Sequence, residues 1–138
     1  MSHIAKIETA IKDLNCLARA LDTLGIQYSF APEGECFNLK GYDKNETIDG
    51  CVMEIKTGCA WSIGIRRTQN GYEAAADWWA VETFSGRDRT QILDSIMRQY
   101  AYQTVIEKID SMGFILVQEE EDTQANIKLR VRRWSPPA

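Results

Sequence analysis

Between Asp88 and Gly113 the chain carries neither Pro nor Gly, and that run restricts the fold more than any other feature. It opens with Asp88-Arg-Thr-Gln91, whose first and fourth side chains can cap each other's backbone N–H groups. It closes at Gly113, the residue type best suited to the left-handed turn beyond a helix end. Between these signals Leu93, Met97, Ala101, Val105 and Ile109 recur every fourth residue, with Ile96, Tyr100 and Met112 beside them. The spacing predicts a long amphipathic helix. A four-residue step runs about 40° per repeat ahead of the helical period, so the apolar stripe winds around the axis. Such a stripe is buried when the helix lies diagonally across a twisted sheet.

The rest of the chain supplies that sheet. Ala5, Ile7 and Thr9 alternate with Lys6 and Glu8, which reads as a first strand through Ala10. Asp13 is an N-cap for a helix carrying Leu14, Leu17, Ala18, Leu21 and Leu24 on one face, and Gly25 stops it. Strands follow over 26–30, 36–42 and 51–57, with a turn at Pro32-Glu-Gly34 and a polar loop over 43–50. Trp61 to Thr68 and Tyr72 to Ala80 flank Gln69-Asn70-Gly71, and Asn-Gly is a strong hairpin signal. With Asn70 and Gly71 as the turn, Gln69 pairs with Tyr72, Ile65 with Ala76, Ile63 with Trp78 and Trp61 with Ala80. One face is then Trp61, Ile63, Ile65, Ala74, Ala76 and Trp78, the expected core; the other is Ser62, Gly64, Arg66, Glu73, Ala75, Asp77 and Trp79. After the long helix comes a hairpin, Phe114 to Glu120 and Asn126 to Trp134, with a polar turn over 122–125.

The order of elements implies an α+β fold: a mostly antiparallel twisted sheet, one short N-terminal helix and one long helix on one face, and a C-terminal β-hairpin. Residues 1–134 are expected to form one domain, with 135–138 as a flexible tail. The Met1-Ser2-His3 opening, Asp13 followed by Leu17, Leu21 and Leu24-Gly25, the Gly41-Tyr42 pair, Ala76-Asp77-Trp78 and Gln99-Tyr100-Ala101 together resemble the hypothetical chloroplast reading frame thirty-five family. These are small uncharacterised proteins of cyanobacteria, plastids and other bacteria. The resemblance covers nearly the whole chain and implies a shared fold; none of its motifs is catalytic.

Composition narrows the function classes. At 138 residues the chain can bury roughly two-thirds of its unfolded surface, so it needs neither disulfides nor a structural metal to fold. A formal charge of −4 argues against general nucleic-acid binding. No signal peptide or membrane-length apolar run is evident, so a cytoplasmic protein with reduced thiols is expected. His3 is the one histidine; it reads as a polar contact tying down the first strand in preference to a catalytic group. Cys36, Cys51 and Cys59 lack C-x-x-C spacing, so no metal or cofactor is expected, although pairing of 36–42 with 51–57 would bring Cys36 towards Cys59. Cys16 reads as packing.

With no catalytic constellation, binding is the favoured class. Trp79, expected opposite Ser62, and Asp77, expected opposite Gly64, share a face with Arg66, and a large ring beside a bare Gly64 and an Arg–acid pair has the composition of a hot spot. The competing reading covers Trp79 with another element, the final hairpin being the candidate, as a second core layer. Lys128, Arg130 and Arg132 alternate with Ile127, Leu129 and Val131, and form either a face of cross-strand ion pairs with Glu119 to Asp122 or a basic strip, extended by Arg133, Arg66 and Arg67, for an acidic partner or a phosphate. The expectation is an accessory protein that docks a protein partner, with homo-oligomerisation also possible. The alternative is a small-molecule site or enzyme with a pocket between long helix and sheet, lined by Tyr100, Tyr102, Asp77 and Arg66.

Overall fold

The computed structural model describes residues 4–43, 45–121 and 127–133. The chain runs β1 (Ile4–Glu8), α1 (Leu14–Leu24), β2 (Tyr28–Phe30), β3 (Phe37–Lys40), β4 (Thr47–Ile55), β5 (Ile63–Thr68), β6 (Gly71–Asp77), α2 (Trp78–Ser85), α3 (Arg89–Ser111), β7 (Phe114–Glu121) and β8 (Ile127–Arg133). This is the expected α+β architecture. His3, the turn over 122–125, Trp134 and the tail 135–138 lie outside the described residues.

Local chemistry accounts for the two expected helices. The Asp13 carboxylate accepts from the Asn15 and Cys16 N–H groups, and Gly25 closes α1 in the left-handed region. Asp88 accepts from Thr90 N at the start of α3, and Gly113 follows its end at φ +79°. Helix α1 buries Cys16, Leu17, Ala18, Ala20 and Leu21. Helix α3 lies beside it and buries Ile92, Ile96 and Tyr100. The buried line thus falls one position beside the expected one. Leu93 and Met97 are only partly covered, while Ala101 and Val105 are exposed. The physical reason is that α3 is packed between two neighbours, α1 and β7, instead of lying on the sheet alone.

The main sheet has the order β1-β6-β5-β4-β2, with β3 also on β4, and every pairing is antiparallel. Its helix-facing side contributes Met53, Ile55, Ile63, Ile65, Ala74 and Ala76 to the core, which Trp78 joins from α2. The expected assignment of faces for the central hairpin therefore stands. Its register does not: Thr68 pairs with Gly71, Arg67 with Tyr72, Ile65 with Ala74 and Gly64 with Ala75. The turn is Gln69-Asn70, and Gly71 starts β6 at φ +145°, where a Cβ would sit 2.7 Å from the Ile11 carbonyl oxygen. The passing backbone, not the turn, claims this glycine. A shift of two residues preserves which side chains share a face.

The opposite side of the sheet is covered as well. Strand β4 begins within the expected polar loop, turns at Gly50 (φ +75°) and carries an irregularity in its pairing with β5 between Cys51 and Met53. That extra residue sends Met53 and Ile55 to the helix side and Cys51 and Ile48 to the other. There Ile48, Cys51 and Ala75 form a second core with Ile4, Phe37 and Leu39 packed against it.

Candidate functional site

Strand β6 stops at Asp77, where a continued strand to Ala80 was expected. The Asp77 carboxylate is almost fully buried; its Oδ1 accepts from Ala80 N (3.1 Å) and its Oδ2 from Tyr42 N (2.8 Å). The first bond caps α2, which ends at the left-handed Gly86. The second ties the loop after β3 to the same carboxylate. Gly41 lets that loop approach, since a Cβ there would lie 3.2 Å from Ile4 Cδ1 and 3.3 Å from Asp77 Oδ2. The cap was legible in Asp77 followed nine residues later by Gly86. The strong alternation of the preceding strand concealed it.

The short helix α2 turns Trp78 inward and Trp79 outward. Trp78 is buried and its Nε1 donates to the Ala5 carbonyl (3.1 Å). Trp79 joins Tyr42, Trp61 and Phe84 in an aromatic patch at the rim of the sheet. Trp61 and Phe84 are stacked with centroids 4.6 Å apart, and Tyr42 meets Trp79 edge-on at 4.9 Å. Tyr42 also lies 5.7 Å from Trp61 and 6.1 Å from Phe84. Offset and edge-on contacts of this kind hold rings in fixed relation. Nevertheless Tyr42 is 49 % exposed, Phe84 48 % and Trp79 42 %.

Other residues singled out in the sequence are placed differently. Gly64 is buried, not bare: a Cβ would overlap Cys51 Sγ and lie 3.1 Å from Leu39 Cδ1. Asp77 faces Ile4 of β1 and not Gly64. Arg66 lies directly opposite Glu73, with their charged atoms 3.4 Å apart. The element covering this face is β3 with the first half of β4, not the final hairpin; Trp79 escapes cover because it belongs to α2. The residues suggested for a helix–sheet pocket do not converge. Tyr100 accepts from the Lys12 and Asp13 N–H groups through its hydroxyl, Tyr102 donates to Glu119 Oε2 (2.7 Å), and Asp77 and Arg66 are engaged as described.

The cysteines divide by environment. Cys51 is buried and its thiol is pushed up to about 11 by burial, against the opposing pull of the Arg66 charge. Cys36 is exposed and adjoins Cys51, since Phe37 pairs with Cys51; β2 occupies the stretch of β4 that would have aligned Cys36 with Cys59. Cys16 donates to Glu107 Oε2 (2.7 Å) and lies 3.5 Å from Asp13 Oδ2. Burial first, then the hydrogen bond to Glu107 and the nearby acids, push it up to about 12. It stays a protonated thiol at neutral pH and cannot serve as a nucleophile there.

The C-terminal hairpin forms its own two-stranded sheet. It is fastened to α3 by an Arg98–Glu121 ion pair and the Tyr102–Glu119 hydrogen bond. Glu120 pairs with Lys128, Gln118 with Arg130 and Ile115 with Arg132. One of the three cations is therefore opposite an acid. No helix among the described residues is long and apolar enough to cross a membrane.

Helices on one face of an antiparallel sheet, a second apolar layer on the other and an exposed aromatic patch at the rim define an α+β protein whose most prominent site lies on its surface. The chain belongs to the family described as Protein of unknown function (DUF1257), whose model matches residues 20–130. It is 31 % identical over 141 residues to the uncharacterized protein ycf35 of Cyanophora paradoxa, covering 97 % of this chain and 98 % of that one. The ycf35 protein of Pyropia yezoensis is 32 % identical over 142 residues, covering 98 % and 99 %. No solved structure matches the present chain significantly.

Proposed function

We propose that this protein is a cytoplasmic, non-enzymatic accessory protein that docks a protein partner through the aromatic patch at Trp79, with the C-terminal hairpin as a second contact. The carrying observation is that three rings, Tyr42, Trp79 and Phe84, stay between two-fifths and one-half exposed while held on a frame anchored by a buried carboxylate. Leaving such apolar area in water forgoes about 25 cal/mol for each Å² not buried. Contiguous exposed aromatic surface is characteristic of interaction sites, and aromatic anchors dominate their energetics. A pre-set patch also loses little side-chain freedom on binding. The test is affinity capture from the native extract with wild type and with Trp79→Ala/Phe84→Ala, the two having matched melting temperatures. A protein recovered by wild type alone supports docking; identical recovery by both forms rules this surface out.

A further inference from the structure

The hairpin offers a strand edge whose chemistry names its occupant. Strand β8 pairs with β7 on one side; among the described residues no strand pairs with its other side. The hairpin approaches α3 through β7. Beneath β8 a cleft of about 390 Å³ remains, lined by Arg98, Ala101, Tyr102, Val105, Ile127 and Leu129. Ile127 and Leu129 line this cleft; because side chains alternate along a strand, Val131 shares their face while Lys128, Arg130 and Arg132 lie on the opposite one. Val105 and Val131 are left substantially exposed at its margin. A two-stranded sheet is marginally stable in water by itself. The apolar side of β8 is therefore only half covered, and its polar side is a row of cations.

We propose that β8 accepts a third strand from a protein partner, an extended segment in which acidic and apolar residues alternate. Main-chain hydrogen bonds to the free edge of β8 supply affinity, as in other cases of strand addition. The acidic residues lie across from Lys128, Arg130 and Arg132, where opposite charges stabilise and like charges destabilise. The apolar residues fall on the other face and close the cleft over Val105. A second copy of this chain does not fit. Antiparallel self-pairing of β8 that keeps its apolar face inward places cations opposite cations. This inference rests on the reading that the protein docks a partner, but it uses a surface separate from the aromatic patch.

The test is fluorescence anisotropy of a labelled synthetic peptide of alternating Glu and Val, titrated with the full-length protein at low salt. Saturable binding that weakens with salt, falls at least tenfold in Arg130→Glu and is unchanged in Trp79→Ala supports the inference. N-methylation of the peptide on the edge that would pair with β8 must abolish binding, because it removes the donors of strand addition. Equal binding of the N-methylated peptide, or of a peptide with the same residues in two blocks, overturns it in favour of unspecific charge attraction. Absence of saturable binding overturns it too, and so does an Arg130→Glu effect explained by a lowered melting temperature. None of these failures touches the capture result expected of the aromatic patch.

Discussion

Asp77 Oδ2 accepts the backbone N–H of Tyr42 at 2.8 Å, joining two segments 35 positions apart in the chain. The same carboxylate starts α2 through Ala80 N. One buried side chain therefore determines both where the sheet ends and how the exposed rings are presented. Removing it strips two backbone donors of their partner, that of Ala80 in a buried setting and that of Tyr42 in a part-buried one, and a buried donor left unpaired costs roughly 1–3 kcal/mol. Asp77→Ala should destabilise the fold by about 2–4 kcal/mol in urea unfolding, a range spanning cap loss and burial of unpaired donors. Asp77→Asn, which retains one acceptor, should lose less. A change below about 0.5 kcal/mol in Asp77→Ala, the size of an ordinary surface substitution, would refute this role.

The second core predicts a specific repair. Gly64→Ala places a methyl group against Cys51 Sγ and Leu39 Cδ1, and overpacking of this kind costs about 1–3 kcal/mol. Removing the sulfur in Gly64→Ala/Cys51→Ala should restore part of that loss, giving a favourable coupling in a double-mutant cycle. Strict additivity of the two changes would show that the faces do not meet there.

Thiol chemistry should separate the cysteines. In native protein at pH 8, iodoacetamide followed by mass spectrometry should modify the exposed Cys36 first and leave Cys16 and Cys51 until unfolding. Both buried thiols have folded values above the ordinary 9.0, at about 12 and about 11. The neutral form is favoured in the folded state, so their contribution to stability is complete below pH 9 and is lost as pH rises through 11 to 12. Cys16→Ala should flatten that alkaline decline while lowering stability at neutral pH. A wild-type decline that Cys16→Ala leaves unaltered would contradict the assignment.

Tryptophan emission should report the turn from β6 into α2. A variant whose sole tryptophan is Trp79 should emit near the wavelength of a solvated indole and be quenched readily by acrylamide. One retaining Trp78 alone should be blue-shifted and protected, as its burial and bond to Ala5 require. Equal protection of the two would return Trp79 to a covered layer.

Hydrogen exchange should find the hairpin the less stable unit. Amides of β7 and β8 should exchange faster than those of β5 and β6, which sit between other strands and two apolar layers. Tyr102→Phe, which removes the bond to Glu119, should speed exchange in β7 and β8 without altering β5. Equal protection of the two sheets in the wild-type chain would contradict this.

Local signals were enough to reveal the fold class, the two cap-bounded helices, the hairpin at Asn70 and the division of Ile63, Ile65, Ala74 and Ala76 from their neighbours. Each depends on periodicity or on a residue with a narrow backbone preference, and these act within a few positions of the chain. The resemblance to the chloroplast reading frame thirty-five family was likewise legible, because Gly41-Tyr42 and Ala76-Asp77-Trp78 stand in the primary sequence. Other features were decided by contacts between distant segments. Gly71 was taken out of the turn by the backbone of Ile11, the outer face of the sheet was covered by a β4 that bends at Gly50, and Trp79 was carried out of the strand by a cap that also serves Tyr42. The composition of Tyr42, Trp61, Trp79 and Phe84 gives no hint that they meet, since they come from two loops and a helix. Their convergence depends on Asp77, a carboxylate whose burial is tolerable only because the folded chain brings two N–H groups to it.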